Sequence, residues 1–208
     1  LGLRKNRKLV PTKWSITAVD DTLSKKRLEK IRLYQELGEI LLFHSEYLGN
    51  HYEFLLLPEK WSFEVIEISL VKGGIPETSP EVYGTGKSYF PVWHDYETYF
   101  PRKTYADSVT GAYYSNRLAL TEYLEKIHRQ CHCIVFREVR PEYYAPLGVG
   151  ILRQISRDAF LQQPEKFNTL QEAFARIQSR LRLSINNFTD KSYLLENYGK
   201  QTKISKFF

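Results

Sequence analysis

The spacing of apolar and polar residues changes several times along the chain, and each change marks an element. Residues 14–19 alternate and are rich in Trp, Ile, Thr and Val, which predicts a strand. Asp20, Asp21 and Thr22 then supply capping side chains, and Leu23, Leu28 and Ile31 recur at helical spacing to about Tyr34. From Glu39 the period shortens toward two, giving strands over 39–47, 51–57 and 62–71. They are joined through Gly49-Asn50 and Pro58-Glu59-Lys60, which is turn chemistry, so an antiparallel meander is the simplest arrangement.

Between 72 and 106 no period is sustained, and Pro76, Pro80, Pro91 and Pro101 interrupt any helix or central strand. The stretch is dense in aromatic residues, among them Trp93, Tyr96, Tyr99 and Phe100, which argues against disorder. A long connection that packs over the domain and lines a cleft is expected. Asp107 or Ser108 can cap a helix running to about His128, with Val109, Ala112, Tyr113, Leu120, Leu124 and Ile127 on its buried face. A strand over 133–139 ends at Arg140-Pro141. Helices follow over 149–161 and 169–183; Thr169 and Glu172 have capping-box spacing at the start of the second. After Asn186 the pattern fades. The expected fold is α+β, an antiparallel β meander packed with several helices over 1–186, with a flexible carboxyl-terminal tail over 187–208.

With 208 residues, 42% of them hydrophobic and 26% charged, the chain can bury a core of domain size. No apolar run is long enough for a membrane-spanning helix and no signal peptide is visible, so the expectation is a cytoplasmic protein with no membrane partner. Cys131 and Cys133 are read as lying on opposite faces of a strand, without a disulfide. The chain starts at Leu1 and has no Met, as a fragment or processed chain would. The net charge of +6 sits at the ends: Arg4, Lys5, Arg7, Lys8 and Lys13 at one, Lys200, Lys203 and Lys206 at the other. The body between is slightly acidic, so contact with nucleic acid has to use local patches or the basic ends.

Candidates for metal-dependent phosphodiester chemistry are Asp20, Asp21, His94, Glu138 and Glu142, with Asp95 and Glu97 nearby in sequence. Paired carboxylates hold Mg²⁺ or Mn²⁺ and generate an attacking hydroxide, which makes a nuclease or related DNA-processing enzyme the alternative reading. The ordinary account of the same acids is helix capping and pairing with arginine. His128, Cys131, His132 and Cys133 lack the paired knuckles of a zinc site, so no metal site is assigned. For DNA, Arg153 with Arg157 and Arg176 with Arg180 each lie four apart on a helix, where a pair can follow one phosphate track. Solvated helix faces account for them equally well.

The end of the chain carries a more specific pattern. In residues 201–208, Gln201 is followed three positions later by Ile204 and three beyond that by the aromatic pair Phe207-Phe208. This resembles the docking peptide, or PIP motif, by which replication and repair proteins bind the sliding clamp PCNA. One tight helical turn places Ile204, Phe207 and Phe208 on one side as an apolar plug, while Gln201 fixes orientation and the interleaved lysines favour an acidic partner.

Arg7-Lys8-Leu9-Val10-Pro11-Thr12-Lys13-Trp14, continuing to Asp20-Asp21-Thr22, resembles the corresponding stretch of the archaeal Nre DNA-repair proteins. Leu48-Gly49-Asn50 with Pro58 and Trp61, and Arg137-Glu138-Val139-Arg140-Pro141-Glu142-Tyr143-Tyr144 with Pro146-Leu147-Gly148-Val149, are also similar. The resemblance implies an archaeal DNA-damage repair factor recruited to the clamp, with DNA as a further partner. It also implies longer family members with a cysteine-rich zinc-binding segment upstream; that segment is not visible here, so no cofactor is assigned. A scaffold that never touches DNA is the third reading.

Overall fold

In a computed structural model the chain is described over residues 11–70, 90–143 and 148–200. Helix α1 (Thr12–Ile31) is followed by strands β1 (Gln35–Glu36), β2 (Ile40–Tyr47), β3 (Asn50–Leu57), β4 (Ser62–Ser69) and β5 (Val92–Glu97). Helix α2 (Gly111–Ile127), strands β6 (Arg129–Gln130) and β7 (His132–Val139), helix α3 (Val149–Leu161) and strand β8 (Glu165–Phe167) come next. Three shorter helices close the described chain: α4 (Leu170–Gln178), α5 (Asn186–Thr189) and α6 (Tyr193–Asn197).

The fold is α+β, built on a six-stranded mixed sheet in the order β5-β4-β7-β3-β2-β8. All its pairings are antiparallel except β4 with β7. Every residue of β3 and β7 is buried because both faces of the sheet are covered. Side chains alternate between two cores. Tyr52, Phe54, Val65, Cys133 and Val135 pack with Leu28 and Ile31 of α1, Leu120 and Leu124 of α2 and Leu152 and Ile155 of α3. Leu55, Ile66, Ile134 and Phe136 pack on the opposite face with Ala173 and Ile177 of α4, Phe188 of α5 and Leu194 of α6.

Several expectations change. Residues 14–19 are helix, part of α1, despite the β-preference of Trp14, Ile16, Thr17 and Val19; Thr17 is buried there, whereas Trp14 and Val19 are exposed. The β2–β3 hairpin forms, but β7 intervenes between β3 and β4, so the meander stops after two strands. Gly49, at φ +76°, is required in that hairpin: a Cβ there would lie 2.4 Å from the Tyr143 backbone nitrogen. The connection after β4 contains β5, an edge strand flanked by Pro91 and Pro101. Asp107 and Ser108 do not cap α2; its N-cap is Thr110, and the Ser108 hydroxyl accepts from the His94 N–H at 3.0 Å.

Cys131 and Cys133 belong to the same core, as residues two apart on a strand do. The second helix expected over 169–183 ends at Gln178, although its Thr169–Glu172 capping box is present. The packed chain also continues beyond Asn186, since Phe188 and Leu194 are buried and Tyr198 packs against their core. Among the described residues no helix is long and apolar enough to cross a membrane.

Candidate functional site

The acids singled out from sequence divide between the two faces of the sheet. Asp20 on α1 is fully buried and lies 2.5 Å from Arg153 on α3; burial pushes its carboxyl up, against the pull of Arg153. Asp21, one residue on, pairs with Lys25 at 2.8 Å and with the buried Arg117 of α2. Glu97 accepts from Arg117 at 2.8 Å and from the Trp61 indole at 3.2 Å, and Asp95 pairs with Arg102 at 2.8 Å. These acids join helices to one another and to the end of β5.

On the opposite face three glutamates are wholly inaccessible: Glu53, Glu64 and Glu138. Glu138 accepts from Arg140 Nε at 2.7 Å and from the backbone N–H groups of Arg182 and Leu183, each at 2.9 Å. Glu64 meets His94 Nε2 and accepts from the Ser192 hydroxyl and the Tyr193 and Leu194 amides, so it binds the start of α6. Glu53 takes a two-pronged bond from Arg180, at 2.7 and 2.8 Å. Glu142 is exposed and paired with Arg182, whose hydrogen bonds hold its carboxyl below the usual range. Among the described residues no three His, Cys, Asp or Glu gather where they could hold a metal ion.

Each arginine proposed for DNA contact also meets a carboxylate. Besides Arg153 with Asp20, Arg157 grips Glu122 at 2.6 and 2.7 Å, Arg176 meets Glu165 at 2.6 Å, and Arg180 joins Glu53 to Glu165. Of the His128 to Cys133 group, burial pushes the thiols of Cys131 and Cys133 up and the imidazole of His132 down to about 4. Gln201, Ile204, Phe207 and Phe208 lie outside the described residues.

A different set of residues forms a cleft of about 530 Å³. It lies over Ser69 and Val139, at the carboxyl ends of β4 and β7, the parallel pair. Crevices at the carboxyl ends of parallel strands are the usual ligand position in open α/β sheets. The sheet register sets Trp93, Glu67, Arg137 and Tyr52 in one row across four strands, on the face covered by α1, α2 and α3. The first residues of α2 and α3 line the cleft from above. They approach this closely because residue 111 is glycine: a Cβ there would lie 2.5 Å from Val149 Cγ2.

Arg137 is 5% exposed, and its guanidinium carbon stands 5.3 Å from the centre of the Tyr52 ring. One terminal nitrogen donates to Glu67 and the other to Asn50. Its Nε and the hydroxyl of Tyr52 have no hydrogen-bond partner among the described residues. Trp93, 37% exposed, forms part of the cleft wall, so the described part of the long connection lines a cleft, but none of the five candidate acid and histidine residues does. Sequence reasoning passed over Arg137 and Glu67. Their signal was present: each is a charge inside an apolar run, Ile134-Val135-Phe136-Arg137 and Val65-Ile66-Glu67-Ile68.

A second cavity, about 480 Å³, adjoins β2 and is lined by His44, Glu46, His51 and Arg180 among others. His51 bridges Glu46 at 3.2 Å and Glu53 at 2.8 Å, so its principal polar groups pair with one another.

Two family models match the chain: "Archaeal Nre, N-terminal" over residues 1–73 and "Archaeal Nre, C-terminal" over 97–207. "DNA repair protein NreA" of Archaeoglobus fulgidus is 36% identical over 181 residues, covering 87% of this chain and 44% of the relative. "DNA repair protein NreB" of the same organism is 35% identical over 207 residues, covering 100% of this chain and 50% of the relative. "DNA repair protein NreA" of Haloferax volcanii is 32% identical over 207 residues, covering 100% and 47% respectively. The chain thus spans about half the length of the curated relatives it matches. No solved structure matches it.

Proposed function

Because the chain belongs to the archaeal Nre family, we propose that it is a DNA-repair factor recruited to the sliding clamp by residues 201–208. Repair is the function carried in the names of the three relatives. For recruitment, the supporting observation is the spacing of Gln201, Ile204, Phe207 and Phe208, the first three of which fall within the stretch matched by the carboxyl-terminal family model. Residues 201–208 follow soon after Tyr198, which packs against the core covered by α4, α5 and α6. Aromatic anchors of this kind carry most of the energy of a small interface. Lys200, Lys203 and Lys206 add attraction to an acidic partner and a dependence on salt.

DNA is the second partner of this reading. The body has no excess of positive charge, so its share of the affinity for DNA is small, and recruitment by the clamp raises the local concentration instead. Surface plasmon resonance against purified archaeal PCNA tests the docking claim. Phe207→Ala with Phe208→Ala is expected to weaken binding at least about a hundredfold, the effect of losing two anchor residues. Affinity unchanged in that variant and in a chain ending at Lys200 would dismiss the docking peptide.

A further inference from the structure

We propose that the cleft at the carboxyl ends of β4 and β7 binds a nucleotide, with its phosphate at the amino termini of α2 and α3 beside Arg137 and its base on Trp93. This assignment is independent of the docking peptide.

The first support is the pair of helix ends. Helix α2 has 17 residues and α3 has 13, neither has a side-chain cap, and neither carries an acid in its first turn. The first amides of a helix have no partner within it, and the aligned peptide dipoles leave about half a positive charge at that end. Two such ends converge where Gly111 meets Val149, both on the cleft wall. Anions bind at helix ends for these reasons.

The second support is independent of helix geometry. Arg137 keeps its charge at any accessible pH and is buried in the wall of the cleft, yet its Nε donor has no partner among the described residues. A buried donor left unsatisfied is costly, and of the described residues with such a donor Arg137 is the one that lines this cleft. Arginine is also suited to phosphate, since its planar donor set matches phosphate oxygens.

The third support is the composition of the wall. Glu67 and Arg137 are its charged residues, and they pair with each other; just before α2, Asp95 accepts from the Val109 N–H at 2.7 Å and is itself paired with Arg102. Trp93 stands in the same row two strands from Arg137, partly exposed, as a stacking platform for a base. At about 530 Å³ the cleft is in the range of small-molecule sites and admits one nucleotide. The ligand class is a phosphate monoester on a nucleoside, supplied by a free nucleotide or by the 5′ end of a DNA strand.

Isothermal titration of the whole chain with deoxyadenosine 5′-monophosphate, deoxyadenosine, and single-stranded 12-mers with and without a 5′ phosphate tests this. Binding of the monophosphate but not the nucleoside is expected. Preference for the phosphorylated 12-mer assigns the site to DNA ends, whereas binding of the monophosphate alone assigns it to free nucleotides; either outcome supports the cleft. Trp93→Ala, at a partly exposed position, is expected to weaken the monophosphate roughly tenfold through loss of stacking. Glu67→Gln removes the opposing charge and is expected to tighten it about fivefold. No binding by either the wild type or Glu67→Gln, equal binding of deoxyadenosine, or affinity unmoved by both substitutions would overturn the proposal.

Discussion

Glu138 and Arg137, neighbours in the chain on opposite faces of the sheet, differ in how their buried charge is matched. On the face covered by α4, α5 and α6, Glu53, Glu64 and Glu138 each accept several hydrogen bonds, and each ties a later segment of chain to the sheet. On the face covered by α1, α2 and α3, Arg137, 5% exposed, lines the cleft and has an Nε without a partner among the described residues. A buried charge whose lone pairs or protons are all matched contributes to architecture. One left with an unmatched donor at a cavity points to a ligand. By this criterion Glu138, a candidate from sequence, is matched as an anchor is, and Arg137, its neighbour in the chain, borders the proposed nucleotide cleft.

The contrast is broken most severely by removing an anchor. Glu53→Ala leaves Arg180, otherwise shared with Glu165, partly stranded, and is expected to destabilise the fold by about 3 to 5 kcal/mol in urea denaturation. A loss below about 1 kcal/mol would show that the glutamate is not an anchor.

A smaller effect separates the two kinds of unmatched nitrogen. His132, on the anchored face, also has a nitrogen, Nε2, without a partner among the described residues. Arginine keeps its proton, whereas His132 sheds one: burial lowers its pKa to about 4 despite Glu59 at 3.7 Å. A folded value below the unfolded value of about 6.5 means that the unfolded chain takes up the proton first. The stability linked to His132 is therefore complete above about pH 6.5 and declines toward pH 4 by up to about 3 kcal/mol. His132→Gln is expected to flatten that part of the profile of denaturation midpoint against pH. An identical slope in both proteins would contradict it.

The smallest effect concerns the cleft itself. Thr110, at the N-cap of α2, has φ 59° and ψ −126°, which is strained for a β-branched residue. Thr110→Gly relieves the strain and is expected to raise stability by up to about 1 kcal/mol in thermal unfolding. A fall in stability would mean that Thr110 makes contacts worth more than the strain.

Much of the framework was legible because it is local. The alternation of 39–47 and 51–57, the capping box of Thr169 and Glu172, and the apolar face of 109–127 each lie within one short window of sequence. The misreadings had non-local causes. Residues 14–19 have strand preferences, but α1 continues past them and is held from residue 20 on by Asp20 with Arg153, Asp21 with Arg117 and Arg27 with Glu125, all contacts with distant helices. Nothing near Pro58-Glu59-Lys60 shows that β4 will bypass β3 to pair with β7. The segment after Asn186 has helices too short to show a period, and what fixes it is Glu64, more than a hundred residues earlier. The cleft was hidden for the same reason, since Trp93, Glu67, Arg137 and Tyr52 become one row only after four strands take their register.

The most direct test of the contrast is a calorimetric titration of Glu67→Gln and Glu138→Gln, side by side with the wild type, using deoxyadenosine 5′-monophosphate. Both substitutions remove one carboxylate charge, one in the cleft and one among the anchors on the other face. Glu67→Gln is expected to bind about fivefold more tightly than wild type, and Glu138→Gln with unchanged affinity. Tighter binding in Glu138→Gln alone, or the same affinity in all three proteins, would contradict it.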